Sequence, residues 1–228
     1  MIYWMIFIGI SILSWYVSYN LDKKFEYYSH FMLKSGMTGK EVAEKMLHDN
    51  GIYDVTVTCT SGSLTDHYNP VNKTVNLSES VYGNCSIAAA AVAAHECGHA
   101  VQHAYAYTPL KMRSALVPIV NFASNILSWV LLGGMLLLNV YPELMLFAIA
   151  LFASTTLFSF ITLPVEINAS KRALYWLNNS GITDIWNKDK AEDALRWAAY
   201  TYVVAALGSL ANLLYYIMVF LNGNNREE

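Results

Sequence analysis

Long apolar runs alternate with shorter polar ones along this chain, and the apolar runs are about as long as a bilayer is thick. Residues 1–19 (MIYWMIFIGISILSWYVSY) hold no charged side chain and approach the roughly 20 residues that a spanning helix needs. They lack an early Lys or Arg and a small-residue cleavage site, so they read as an uncleaved helix and not as a secretory leader. Comparable runs extend from Leu116 to Leu138, from Leu144 to Leu163 and from Ala199 to Leu221. Pro142, in the YPE of 141–143, disfavours a continuous helix and marks a tight connection between the second and third runs. The pattern predicts four transmembrane helices, at 1–19, two within 116–165, and at 199–221, with a short tail at 222–228.

The polar stretches carry shorter periods. TGKE at 38–41 has capping-box spacing, and Val42, Ala43, Met46 and Leu47 follow it as a helical stripe that Asn50-Gly51 ends. YDVTVTCT alternates, with Val55, Val57 and Cys59 on one face, and reads as a strand. GSLTDHYNP reads as a turn, and KTVNLS (73–78) as a second strand through Val75 and Leu77. A helix is expected to open near Ser86, and another near residue 166 with EINASKRALYWL. Residues 20–115 therefore form one juxtamembrane unit and 166–198 a second, helical insertion.

Composition agrees with this division. The chain of 228 residues is 55% hydrophobic and only 14% charged, far from the usage of soluble globules. A net charge of −3 leaves no basic footprint for nucleic acid. Cys59, Cys85 and Cys97 have neither CxxC spacing nor an even count, so no disulfide framework is indicated. Every Lys and Arg except Arg226 falls in 23–73, 111–113 or 171–196. With four spans those stretches share one side of the membrane, and the positive-inside rule makes that side cytoplasmic. Both termini are then outside.

The chemistry gathers on the cytoplasmic side, in AVAAHECGHAVQ (91–102). On a helix His95 and His99 lie one turn apart, about 6 Å in rise and about 40° in rotation, so both imidazoles can reach one metal ion. Glu96 sits about 100° round from His95, off the ligand line but able to face a water on that metal as general base. His103 continues the face of His99, yet lies about 12 Å along the helix from His95 and cannot join the same ion. Residue 105, where the longer HExxHxxGxxH pattern needs histidine, is tyrosine. Glu166, two residues past Pro164 on the same predicted side, is the best candidate for a third ligand. The bland alternatives are an apolar helix with two satisfied histidines and a carboxylate at a helix N-terminus. His67, Tyr105 and Arg172 are candidates for substrate or transition-state contacts, with turn or structural roles as the alternative.

HExxH followed by a glutamate on a later helix resembles the glutamate-ligand zincins. The longer strings LTDHYNP, NLSESVYGNCSIAAAAVAAHECGHAVQHA and LPVEINASKRAL are similar to the neutral zinc metallopeptidases of bacterial membranes, of the YugP type. This resemblance spans about residues 20–210 and implies Zn2+ bound by His95, His99 and Glu166, with Glu96 catalytic. Many zincins place Asp four residues after the ligand glutamate to orient a histidine; Ser170 stands there here, leaving Ser170 or Asn168 to hold a ligand imidazole.

The expected protein is a mainly α integral membrane protein with four transmembrane helices and a small α+β, zincin-like cytoplasmic part. Its expected function is a membrane-embedded zinc endopeptidase: zinc acidifies a water, and Glu96 takes its proton and passes it to the leaving amine. The expected partners are the lipid bilayer and a polypeptide substrate, membrane-associated by reason of the site's location, that adds as a strand to 73–78. A zinc transporter or metal-sensing membrane protein using the same ligands is the alternative. It is disfavoured because no span carries a charge at its centre and the stripe Asn121, Ser124, Asn125, Ser128 suits helix packing.

Overall fold

The structure is a computed structural model that describes residues 2–183 and 185–224. Residues 225–228 of the expected tail, Arg226 among them, lie outside the described residues. Among the described residues, four helices are long and apolar enough to cross a membrane: α1 (Ile2–Ser29), α5 (Thr108–Leu136), α6 (Pro142–Asn179) and α7 (Ile185–Asn224). The chain is mainly helical. It also contains a small sheet of β1 (Thr56–Thr60), β2 (His67–Asn69) and β3 (Thr74–Ser78), with helices α2 (Gly39–Asp49), α3 (Glu79–Tyr82) and α4 (Ile87–Ala104).

Three expectations need correction. The helix expected near 166 is not separate, because α6 runs unbroken through Pro164. Proline removes one backbone donor, and in a 38-residue helix the other bonds hold the segment together. Residues 67–69, read as part of a turn, form β2. The 73–78 strand cannot receive an added strand: the sheet order is β1-β3-β2, so β3 is central, parallel to β1 and antiparallel to β2. The sheet's open edges belong to β1 and β2.

Local signals that depend on near neighbours appear as expected. Thr38 caps α2, its hydroxyl accepting from the Glu41 amide while the Glu41 carboxylate accepts from the Thr38 amide at 2.8 Å. Asn50 ends this helix, and Gly51 takes the left-handed φ of 71° that glycine adopts without steric cost. Ser86 caps α4 by accepting from the Ala89 amide.

The described residues fall into two compact units. One comprises Met1–Trp15, Lys111–Leu163 and Tyr202–Glu228. It packs on small residues: a Cβ on Gly134 would come within 2.9 Å of the Met145 backbone, and one on Gly208 within 3.2 Å of Ile10.

The other unit comprises Tyr16–Leu110 and Pro164–Thr201 and has a core of its own. Val42, Ala43, Met46 and Leu47 of α2 meet Val75 and Leu77 of β3, the alanines of α4, and Ala173 and Leu177 of α6. Burial of such side chains stabilises by about 1.5–3 kcal/mol for each large aliphatic one. Polar ties cross this unit: Trp176 donates its indole N–H to Asp49 at 3.0 Å, and Tyr28 donates to Asp193 at 2.6 Å. Asp66, just before β2, accepts from the Ser78 amide at 2.7 Å and so pins β2 beside the end of β3.

Candidate metal centre

Alanine builds α4 with little loss of entropy and little bulk, so the helix packs closely on its neighbours. Of the residues 88–94 only Val92 is not buried. The closest approach comes at Gly98, where a Cβ would sit 2.6 Å from the carbonyl oxygen of Ala169 in α6. Gly98 is out of place by helix propensity, and the contact explains it: no larger residue lets α6 lie against this turn. His95, Gly98, His99 and Gln102 share one face of α4. Glu166, Ala169, Ser170 and Ala173 share one face of α6.

These two faces bring the predicted ligands together. One ligand atom from each of His95, His99 and Glu166 lies within 4.8 Å of the others. Glu166 Oε2 stands 3.3 Å from His95 Nε2 and 3.3 Å from His99 Nε2. The two imidazoles are nearly perpendicular, at 84°, with centroids 4.9 Å apart. All three side chains are largely buried. Burial pushes the His99 imidazole down, but the Glu166 and Glu96 carboxylates push it up further, and the net direction is upward.

The donor set and spacing suit zinc. Tetrahedral ligands about 2.0–2.1 Å from Zn2+ stand about 3.3 Å from one another, the separation of Glu166 Oε2 from each imidazole here. Glu166 Oε2 is buried and makes no aligned hydrogen bond, even with two ring nitrogens so near. A buried carboxylate oxygen that faces two nitrogens without bonding either could hold a cation together with them.

The remaining ring nitrogens are also held. His95 Nδ1 lies 3.0 Å from the Ser170 hydroxyl and His99 Nδ1 lies 3.1 Å from Gln102 Oε1. Gln102 in turn donates to the Val165 carbonyl at 2.7 Å and to Asn168 Oδ1 at 3.1 Å. Thus Ser170 meets one candidate ligand histidine directly, and Asn168 reaches the other through a glutamine that sequence reasoning passed over. The only sequence signal for Gln102 is its spacing: three residues after His99 puts it on the same face.

Glu96 is held from the other side. Its Oε2 accepts from the backbone amide of Tyr68 in β2 at 3.0 Å. His103 lies away from the cluster, with its Nδ1 2.9 Å from the Tyr68 hydroxyl. His67 is exposed on β2 and directs Nδ1 to the Thr65 carbonyl at 2.8 Å. Tyr105 is the exposed residue that closes α4. Arg172 gives its Nε–H to Asn168 Oδ1 at 2.8 Å. Cys97 is buried, its thiol pushed well up by that burial, and it touches the Ala43 carbonyl on the far side of α4.

The family described as "Putative neutral zinc metallopeptidase" matches residues 3–221. The chain is 44% identical over 227 residues to the "Putative membrane protease YugP" of Bacillus subtilis (strain 168), an alignment covering 98% of this chain and 100% of the relative. No solved structure matches significantly.

Proposed function

The chain belongs to the "Putative neutral zinc metallopeptidase" family, and from that premise we propose that it is a zinc-dependent endopeptidase of the bacterial membrane, with its site on the cytoplasmic side. The observation that carries this reading is the convergence of one ligand atom each from His95, His99 and Glu166 within 4.8 Å, with Glu166 Oε2 3.3 Å from both imidazoles, next to a glutamate that is not one of the three. His95, His99 and Glu166 would hold the ion. When bound, zinc supplies a Lewis acid for a carbonyl and an acidified water.

The chain's own groups do the rest. Glu96 is the proton carrier. Its Oε2 is occupied by the Tyr68 amide, which leaves Oε1 to accept a proton and then release it to the leaving amine. Ser170 and Gln102 hold the two imidazoles with Nε2 inward. The Tyr68 amide faces Glu96, so the open edge of β2 adjoins the proton carrier, and an extended polypeptide can pair along that edge. Four apolar helices, and the word "membrane" in the relative's name, support a bilayer location. The distribution of Lys and Arg supports placing 20–115 and 166–198 in the cytoplasm.

The test uses the full chain in detergent, with metal content and hydrolysis of an unstructured polypeptide measured together. Wild type is expected to hold one zinc per chain and to cleave. His99→Ala and Glu166→Ala are expected to lose both. Unchanged zinc in both variants would sink the ligand assignment. Zinc movement across vesicles without hydrolysis would favour a transporter.

A further inference from the structure

Gln102 is fully buried, and every polar atom it carries is engaged. This allows the positions of hydrogens to be deduced by donor and acceptor chemistry alone. Arginine can only donate, so the Asn168 atom that meets Arg172 Nε is the amide oxygen. That oxygen also meets Gln102, so the Gln102 atom there is the amide nitrogen. The Val165 carbonyl, which can only accept, requires the same orientation independently. Gln102 Oε1 is then the atom facing His99 Nδ1, and an amide oxygen only accepts. His99 must therefore carry a proton on Nδ1, which leaves Nε2, the nitrogen beside Glu166, as the one free to bind a metal.

His95 supplies the contrast. Its Nδ1 meets the hydroxyl of Ser170, which can donate or accept. That contact holds the ring in place but does not choose its tautomer. Only one of the two histidines is locked.

We propose that Arg172, Asn168 and Gln102 form a positioning relay that fixes the tautomer of His99 and holds its Nε2 ready for the metal. The proposal rests on the zinc-site reading above. Arg172 is a positioning residue in it, acting through two amides on a ligand it does not touch. Turning Gln102 over would set its oxygen against two acceptors, the Val165 carbonyl and Asn168 Oδ1, in a place without solvent, so the native orientation is strongly preferred.

Zinc affinity of the full chain, measured by competition with a chromogenic chelator, gives the first readout. Gln102→Leu is expected to weaken binding by about 10–100-fold, the usual effect of losing an outer partner of a ligand. Arg172→Met and Asn168→Leu are expected to weaken it by about tenfold. Asn168→Asp keeps an accepting oxygen for both neighbours and is expected to bind within about twofold of wild type. Nitrogen NMR of histidine-labelled, metal-free protein, above the pH at which imidazoles titrate, gives the second. His99 is expected as the pure Nδ1–H form in wild type and as a mixture in Gln102→Leu. If wild type binds zinc and all the variants bind as tightly, the relay is wrong while the zinc site stands. If wild type binds no zinc, the zinc reading fails, and the tautomer decides the relay by itself: a mixed tautomer in wild type overturns it.

Discussion

Glu96 keeps its two carboxylate oxygens in different surroundings, and this difference makes it testable. Oε2 is fixed by the Tyr68 amide, and in the proposed mechanism Oε1 takes the proton. Glu96→Gln retains an oxygen for Tyr68 and removes the base. The variant is expected to fold, to keep its zinc and to turn over about 10²–10⁴ times more slowly. Rates equal to wild type at equal zinc occupancy would remove Glu96 from the mechanism. Gly98 makes a second prediction. Alanine improves local helix propensity, yet its Cβ would collide with the Ala169 backbone. Gly98→Ala is expected to cost about 1–3 kcal/mol through overpacking and to loosen zinc by parting α4 from α6. Thermal unfolding and metal retention read the two effects; a stabilised variant with normal zinc would show that the helices can separate freely. At this scale the sequence was partly legible. His95, Glu96 and His99 declare themselves because their spacing on one helix has a chemical meaning. Gly98 and Gln102 do not, since their partners Ala169, Val165 and Asn168 lie more than sixty residues away and spacing says nothing of them.

Elements separate along the same line. The capping box of α2 and the Ser86 cap of α4 were readable because a cap involves residues three apart. β2 was not, because its three residues, His67–Asn69, stop at Pro70 and offer no alternation to detect. Continuity of α6 through Pro164 was hidden for a different reason: the proline rule is local, whereas helix partners and an apolar setting decide the outcome. The short strand nevertheless carries the contact to Glu96, and its place in the sheet allows that contact to be isolated. Tyr68 directs its amide away from β3, the one arrangement in which an edge strand tolerates proline. Tyr68→Pro deletes the amide donor together with the phenol; Tyr68→Ala deletes the phenol and keeps the donor. At equal zinc occupancy, Tyr68→Pro is expected to turn over about tenfold more slowly than Tyr68→Ala, the loss of one charge-assisted hydrogen bond of about 1.5 kcal/mol. Equal rates in the two would mean that β2 does not orient Glu96.

For the molecule as a whole, the open question with the greatest consequence is which side of the bilayer receives the metal centre. Four candidate spans among the described residues, an even number, would put the two termini on one side. The proposed orientation rests on Lys and Arg, which crowd the stretches 23–73, 111–113 and 171–196 and are absent from 137–143. Accessibility of single cysteines to a membrane-impermeant maleimide on intact cells tests this. The native thiols set the background. Cys59 is exposed and Cys85 half-buried, so both are replaced by serine; Cys97 is buried away from the reagent and stays. Ser35 and Asn139 are exposed positions in the two kinds of connection. Asn139→Cys is expected to label on intact cells, and Ser35→Cys only after permeabilisation. The reverse pattern would place His95, His99 and Glu166 outside the cell. The substrates would then have to be secreted or surface polypeptides, and the Lys-rich stretches would need an explanation other than the positive-inside rule.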